Sequence, residues 1–282
     1  MQIINLTQIN QWIHSSDAIL ISAGAGLSAS GGLDYIDPTF FSKYYPEYQE
    51  RGYKHLYDCI GDHWDFHRKN PTEFWGFQAY HIKHIRYDTP AIESYLELYK
   101  YIHDKNYFII TTNIDHQFYK SGFDPQKIFT KQGDFAYFQC SVPCSDEVYY
   151  NEEMIKKMVK NRKQLKIREE DIPKCPKCGA LLTLNLRMDD KFVEKFYYRM
   201  LPVYNKFLSD NRNKNLVVFE MGVGFNSPGA LRYPIEKLVL KNPKWKLIRL
   251  NLNHAEIPHA LKNRSLSVPG DIFSILKSLN QL

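Results

Sequence analysis

Four short apolar runs constrain this chain more than any other feature: AILISAGAG (18–26), YFIITTNID (107–115), LVVFEMGVG (216–224) and KLIRLNLN (246–253). Each has the length of a strand and is rich in apolar residues, the pattern of a strand covered on both faces. Helical patterns lie around them. Residues 5–15 predict a helix with Asn5 or Thr7 as cap and Ile9, Trp12 and Ile13 on its apolar stripe. NPTEFWGFQAY and DTPAIESYLELYKYIH each open on a capping residue and an early proline. After LSVPGD comes a final amphipathic helix, DIFSILKSLNQL. Strands alternating with helices predict an α/β fold with a mostly parallel sheet and helices on both faces. Three runs lead into GAGLSA, TTNID and GVGFNS. Open α/β sheets bind ligands at the C-terminal ends of their strands, so these three segments are expected to converge on one crevice.

Four of the five cysteines form two pairs, Cys140/Cys144 in CSVPC and Cys175/Cys178 in CPKCG, separated by a long insert. In a reducing compartment such spacing favours tetrahedral zinc over disulfides, and four thiolates close the shell, which makes the metal structural. Two unrelated pairs of buried cysteines are the alternative. Cys59 is left over and reads as a small core residue.

Composition excludes several classes. With 44% hydrophobic and 24% charged residues the chain is not disordered. No run of about 18 apolar residues predicts a bilayer span, and MQIINLTQINQWIHSSD lacks the pattern of a secretory signal. The expected address is the cytoplasm. Net charge is +6, which suits a phosphate-bearing ligand and equally a soluble surface. The basic run between Lys156 and Lys177 reads as a solvated helix face ahead of nucleic-acid contact. Neither nucleic acid nor membrane is expected as a partner.

Gly24-Ala25-Gly26-Leu27-Ser28-Ala29 after a strand fits the dinucleotide pattern GxGxxG/A, although a generic tight turn has the same look. Taken in order, GAGLSASGG, TTNID, KQGD, the two cysteine pairs, GVGFNSPG, LNLN and PGD resemble the sirtuins, NAD-dependent enzymes. The resemblance runs in islands from about residue 18 to the C-terminus. It implies a Rossmann-like NAD-binding domain (1–34, 105–135 and 215–282) and a smaller domain, with NAD bound between them. The smaller domain would combine a helical insertion (35–104) and a zinc module (136–190), with 191–214 as a helical return. Carried over by position, Ala23, Gly24, Ala25 and Gly26 would line the phosphates, with Ser28 and Thr112 beside the dinucleotide. Asp34 and Tyr35 would sit at the nicotinamide end. Asn113 would contact the nicotinamide ribose and Asp115 would hold the carboxamide. Gly222, Gly224 and Phe225 would pass under the phosphates and adenosine ribose. Asn251 would hold that ribose, and Asp271 and Ile272 would border the adenine.

The departures carry as much information. Deacylating sirtuins have a His-Gly pair where this chain has Gln132-Gly133; a carboxamide cannot act as a base near neutral pH. GGLDYID replaces the usual GIPDFR stretch, TLNLRMDDKFV stands where a Phe-Gly-Glu segment pairs with acyl-lysine peptides, and GVG replaces GTS. These features resemble macrodomain-linked sirtuins of microbial pathogens. The resemblance implies an NAD-dependent protein ADP-ribosyltransferase, tied to the response to oxidative stress. It also implies a lipoylated acceptor related to the glycine cleavage H carrier, and a macrodomain hydrolase as functional partner. A protein lysine deacylase and a non-catalytic NAD sensor are the alternatives. Asn113, Asp115 and Gln132 would act at the reacting ribose, and Arg187 would orient an acidic acceptor or merely pack on the surface. His116, His63, His67, His81 and His84 read as surface or core residues.

Overall fold

A computed structural model of the chain describes residues 2–64 and 69–282. Its strands are, in chain order, β1 (Ala18–Ala23), β2 (Tyr107–Thr111), β3 (Ile128–Thr130), β4 (Gly133–Cys140), β5 (Val148–Tyr150), β6 (Leu182–Leu186), β7 (Leu216–Met221), β8 (Lys246–Asn251) and β9 (Ser265–Pro269). The chain packs as two compact units. The first takes Met1–Gly31, Ala91–Gln132 and Tyr197–Leu282; the second takes Gly32–Pro90 and Gly133–Phe196.

In the first unit six strands form one sheet in the order β3-β2-β1-β7-β8-β9, and every pairing is parallel. Strand order reverses between β1 and β7, the place where open α/β sheets bind ligands. Alternation along each strand feeds two cores. Ile19, Ile21, Val217 and Phe219 face Leu98, Ile102 and Leu276 of the helices Glu93–Ile102 and Ile272–Leu279. Leu20, Val218 and Leu247 face Tyr204, Ile235 and Val239 of the helices Leu201–Asp210 and Arg232–Lys241. Burial of each such side chain contributes about 1.5–3 kcal/mol, which is why runs rich in apolar residues form the sheet's centre.

Helix boundaries differ from the sequence reading in two places. The first helix spans Gln2–His14, so it begins before either expected cap. The helix expected to open at Pro90 starts at Glu93. The Gln117 side-chain oxygen accepts from Ile92 N at 3.0 Å, and this holds the preceding residues extended. That helix also packs with the first unit, whereas the sequence reading placed 35–104 together as one insertion.

The second unit holds an antiparallel sheet, β5-β4-β6, and the helices Pro38–Tyr44, Pro46–Gln49, Leu56–Trp64 and Pro71–Ile82. Asp37 caps the first of these, accepting from Thr39 N and Phe40 N. Its interior is aromatic: Trp75 meets Phe138 edge-on at 4.7 Å and Phe77 stacks on His81 at 5.8 Å. His63 is buried against its own helix, Nδ1 lying 2.8 Å from the Cys59 carbonyl. His81 is buried between the hydroxyl groups of Tyr45 (2.8 Å) and Tyr35 (3.4 Å). Burial lowers the His63 and His84 pKa values and pushes His81 down to about 3, so all three are neutral core or part-buried residues. Burial likewise pushes the Cys59 thiol far up, as an inert core cysteine requires. His67 lies outside the described residues.

Candidate active site at the strand tips

Three glycines make the junction at the strand-order reversal. The Gly24 N–H donates to the Met221 carbonyl and the Gly26 N–H to the Gly222 carbonyl, both at 3.0 Å. A Cβ on Gly26 would sit 2.7 Å from Gly222 Cα, and one on Gly24 would sit 2.7 Å from Gly222 O. Gly222 itself has φ 64, where a side chain is strained. The glycines therefore bring the first loop and the β7 loop into backbone contact. The backbone amides of Gly24 and Gly26 are spent on that contact.

A buried polar cluster lies beside it, at the tips of β1 and β2. The Thr111 hydroxyl donates to Ala23 O at 2.9 Å and accepts from Asn113 N at 3.0 Å, which turns the chain sharply after β2. Thr112 N adds a bond to Ala23 O at 3.2 Å. The Asn113 side-chain amide donates to the Tyr95 hydroxyl at 2.7 Å and to Gly24 O at 3.0 Å. Ser28 Oγ lies 2.8 Å from the Tyr95 hydroxyl and donates to Asp115 Oδ2 at 2.5 Å. Asp115 Oδ1 accepts from Gln117 N at 3.1 Å. His116 stands in the left-handed region with φ 68 and lies flat on Tyr119 at 4.2 Å, in the half-exposed position expected of it. Lys131 N donates to Thr111 O at 2.9 Å, so Gln132 follows a residue pinned to the tip of β2 and is itself half-buried.

Ser28, Asn113 and Asp115 are thus brought into one network with a residue the sequence reading did not single out, Tyr95. Its position in ESYLELYKYI is that of an aromatic core residue, and only the partner of its hydroxyl shows otherwise.

At the tips of β7 and β8 the side chains are committed to structure. Asn251 donates to Val223 O at 3.1 Å and accepts from the amides of Asn253 (3.2 Å) and His254 (3.0 Å). The Arg232 guanidinium donates to the carbonyls of Val223, His254 and Glu256, and lies 4.3 Å from the Phe225 ring centre. Phe225 is 44% exposed and also meets the His254 ring edge-to-face at 5.1 Å. Beneath them, Arg249 pairs with Glu220 and donates to Glu236 Oε1 at 2.8 Å, with both Arg249 and Glu220 fully buried. Burial raises the Glu220 carboxyl pKa against the opposing pull of Arg249. The sequence reading did not foresee this ionic cluster either. Its signal is Glu220 inside LVVFEM and Arg249 inside KLIRLN, which the register places side by side. Asp271 caps the last helix, accepting from Ser274 N at 2.8 Å, and Ile272 is buried in the core.

Other expected site residues belong to the second unit. The Asp34 carboxylate accepts from Ile36 N at 3.0 Å, and Tyr35 makes the His81 contact already described. Arg187 follows β6, pairs with Glu194 and lies 5.4 Å from the Phe192 ring centre. The four cysteines converge with all sulfurs within 4.8 Å of one another. Cys140 and Cys178 are 3.5 Å apart, and Cys144 and Cys175 are 3.7 Å apart. Tetrahedral zinc–thiolate bonds of about 2.3 Å require sulfurs about 3.8 Å apart, so the donor set fits that ion. Backbone amides of Cys178 and Lys177 hold the Cys175 thiol below its usual range, toward the thiolate a metal needs.

This architecture is shared with Sir2 structures. A Sir2–p53 peptide–NAD+ complex is 20% identical with a TM-score of 0.64, over 98% of this chain and 97% of that one. A mutant Sir2 homologue in complex with ADP-ribose is 16% identical with a TM-score of 0.61, over 97% of this chain and 94% of that one. No family model matches the chain. Among curated proteins, a protein ADP-ribosyltransferase of Staphylococcus aureus is 30% identical over 268 residues, covering 94% of this chain and 83% of the relative. A probable bifunctional ADP-ribose hydrolase/ADP-ribosyltransferase of Fusarium oxysporum f. sp. cubense is 30% identical over 283 residues, 95% of this chain but 46% of the relative. The fold and strand-tip site define a Sir2-type α/β protein. The chain belongs to the sirtuin family, and within it is similar to members named for ADP-ribosyl transfer.

Proposed function

We propose that this chain is an NAD-dependent protein ADP-ribosyltransferase that moves ADP-ribose from NAD to a protein side chain and releases nicotinamide. The names of both curated relatives support the reaction class. Support for the dinucleotide comes from the glycine junction at the strand-order reversal, where open α/β sheets bind nucleotides. In the reaction the ribose C1′–nitrogen bond breaks, with its electron pair leaving on nicotinamide. The acceptor atom bonds to C1′ and gives its proton to solvent. Asn113 presents a carbonyl dipole to the positive charge that develops at C1′, and Asp115 holds the carboxamide of the departing nicotinamide. Ala23 to Gly26, Ser28, Thr112, Gly222, Gly224 and the part-exposed Phe225 line the rest of the dinucleotide. Asn251, Asp271 and Ile272 serve mainly to shape the adenosine end. Asp34 and Tyr35 remain assigned to the nicotinamide end.

The observation that carries transfer over acyl removal is Gln132. Acyl removal needs a base to draw a proton from a ribose hydroxyl after the first attack, and a carboxamide has no basic site. Transfer needs only the first attack. The four cysteines hold one structural Zn2+, whose closed shell leaves no position for a reacting water. For the acceptor we propose a lipoylated carrier protein, on the family resemblance, with a macrodomain hydrolase removing the mark. The Fusarium relative's name joins hydrolase and transferase in one chain, which favours such a pairing.

Incubation with adenine-labelled NAD and cell lysates, with and without lipoylation, tests the reading. We expect one labelled protein band, present only in the lipoylated lysate. Release of O-acyl-ADP-ribose from acyl-lysine peptides with no labelled protein would contradict it.

A further inference from the structure

We infer that Tyr95 is a positioning residue whose hydroxyl fixes which way the Asn113 amide faces. The inference rests on the proposed reaction for its catalytic consequence, and on geometry alone for its structural one. Asn113 Nδ2 carries two hydrogens, directed at the Tyr95 hydroxyl (2.7 Å) and Gly24 O (3.0 Å), with Ser28 Oγ more distant at 3.3 Å. Both are thereby spent inside the protein. Among the described residues no hydrogen bond reaches Asn113 Oδ1, so the amide turns its carbonyl oxygen, not its NH2, away from the cluster.

The direction of the chain is set from its far end. An ionised Asp115 can only accept, so Ser28 Oγ must donate to it. Ser28 has then used its one proton and accepts from Tyr95. The Tyr95 hydroxyl has used its own proton and accepts from Asn113. A flipped Asn113 would set its oxygen against Gly24 O and against a tyrosine whose proton points elsewhere. One carboxylate thus dictates the facing of an amide three bonds away along Asn113–Tyr95–Ser28–Asp115. Tyr95 is anchored for this by its ring, which is fully buried and meets Phe118 edge-on at 4.8 Å. The outward carbonyl oxygen is the group that can accept from a ribose hydroxyl and oppose positive charge at C1′.

Tyr95→Phe keeps the ring packing and removes only the hydroxyl, so the variant is expected to fold. Nicotinamide release is measured for the wild type, Tyr95→Phe, Ser28→Ala and the double variant. Exchange of the Asn113 side-chain amide protons with water is followed by 15N NMR in the protein without NAD. We expect kcat for Tyr95→Phe to fall about tenfold, KM to change less than about twofold, and the double variant to fall less than the product of the singles. We expect the Asn113 amide protons to exchange slowly in the wild type and faster in Tyr95→Phe. An unchanged kcat or unchanged amide exchange overturns the inference. If the wild type releases no nicotinamide, the proposed reaction fails while amide exchange alone still decides the role of Tyr95.

Discussion

Two buried polar clusters sit at the tips of one sheet, and their difference separates chemistry from architecture. At β7 and β8, Arg249 and Arg232 are surrounded by Glu220, Glu236, Glu256 and loop carbonyls. Charges are matched there and donors turn inward. At β1 and β2, Asn113, Tyr95, Ser28 and Asp115 form a chain with one end tied to a carboxylate. The other end is a carbonyl oxygen that accepts no hydrogen bond from any described residue. A cluster of buried, paired charges holds two strands and their loops together. A chain of neutral groups that ends on a carbonyl oxygen facing away from it offers that oxygen to a ligand.

The largest expected effect lies in the cluster of buried charges. Arg249→Met leaves Glu220 buried without its partner, and urea denaturation should show a loss of about 3–5 kcal/mol. The double variant Arg249→Met/Glu220→Leu should recover most of it, because the cost is the stranded charge. Asn113→Ala should do the reverse, lowering nicotinamide release about 100- to 1000-fold while stability drops by no more than about 2 kcal/mol. Equal stability losses in the two variants would erase the contrast. Gly26→Ala presses a methyl against Gly222 Cα. It should cost about 1–3 kcal/mol in the same denaturation assay, the scale of an overpacked contact. The smallest effect is expected of Gln132→His. It supplies a base but not the missing peptide-pairing segment, so acyl-lysine peptides assayed by mass spectrometry should stay acylated.

The main sheet was legible because its central strands are short runs rich in apolar residues, even though Ser22, Glu220 and Arg249 interrupt them. β4, β5 and β6 were not, since Val148–Tyr150 is short and half-exposed and Gly133–Cys140 alternates weakly. Cysteine spacing led directly to the converged sulfurs. The strand-tip polar residues were legible as types, yet their commitments were not. Nothing in GAGLSA shows that two of its amides are spent on the β7 loop, and nothing in LNLN shows that Asn251 is used by its own turn. Tyr95 and Arg249 look like core residues in sequence, because their role depends on a partner far along the chain: Ser28 is 67 residues from Tyr95, and Glu220 is 29 from Arg249.

The central claim is that this site breaks NAD and hands on ADP-ribose because it lacks the base that would complete acyl removal. The most direct measurement is intact-mass spectrometry of a purified lipoylated carrier protein incubated with the enzyme and NAD, with nicotinamide quantified in the same sample. A carrier heavier by one ADP-ribose for each nicotinamide released is the expected result. An unmodified carrier in the presence of NAD, with acyl-lysine peptides losing their acyl groups under the same conditions, would contradict it.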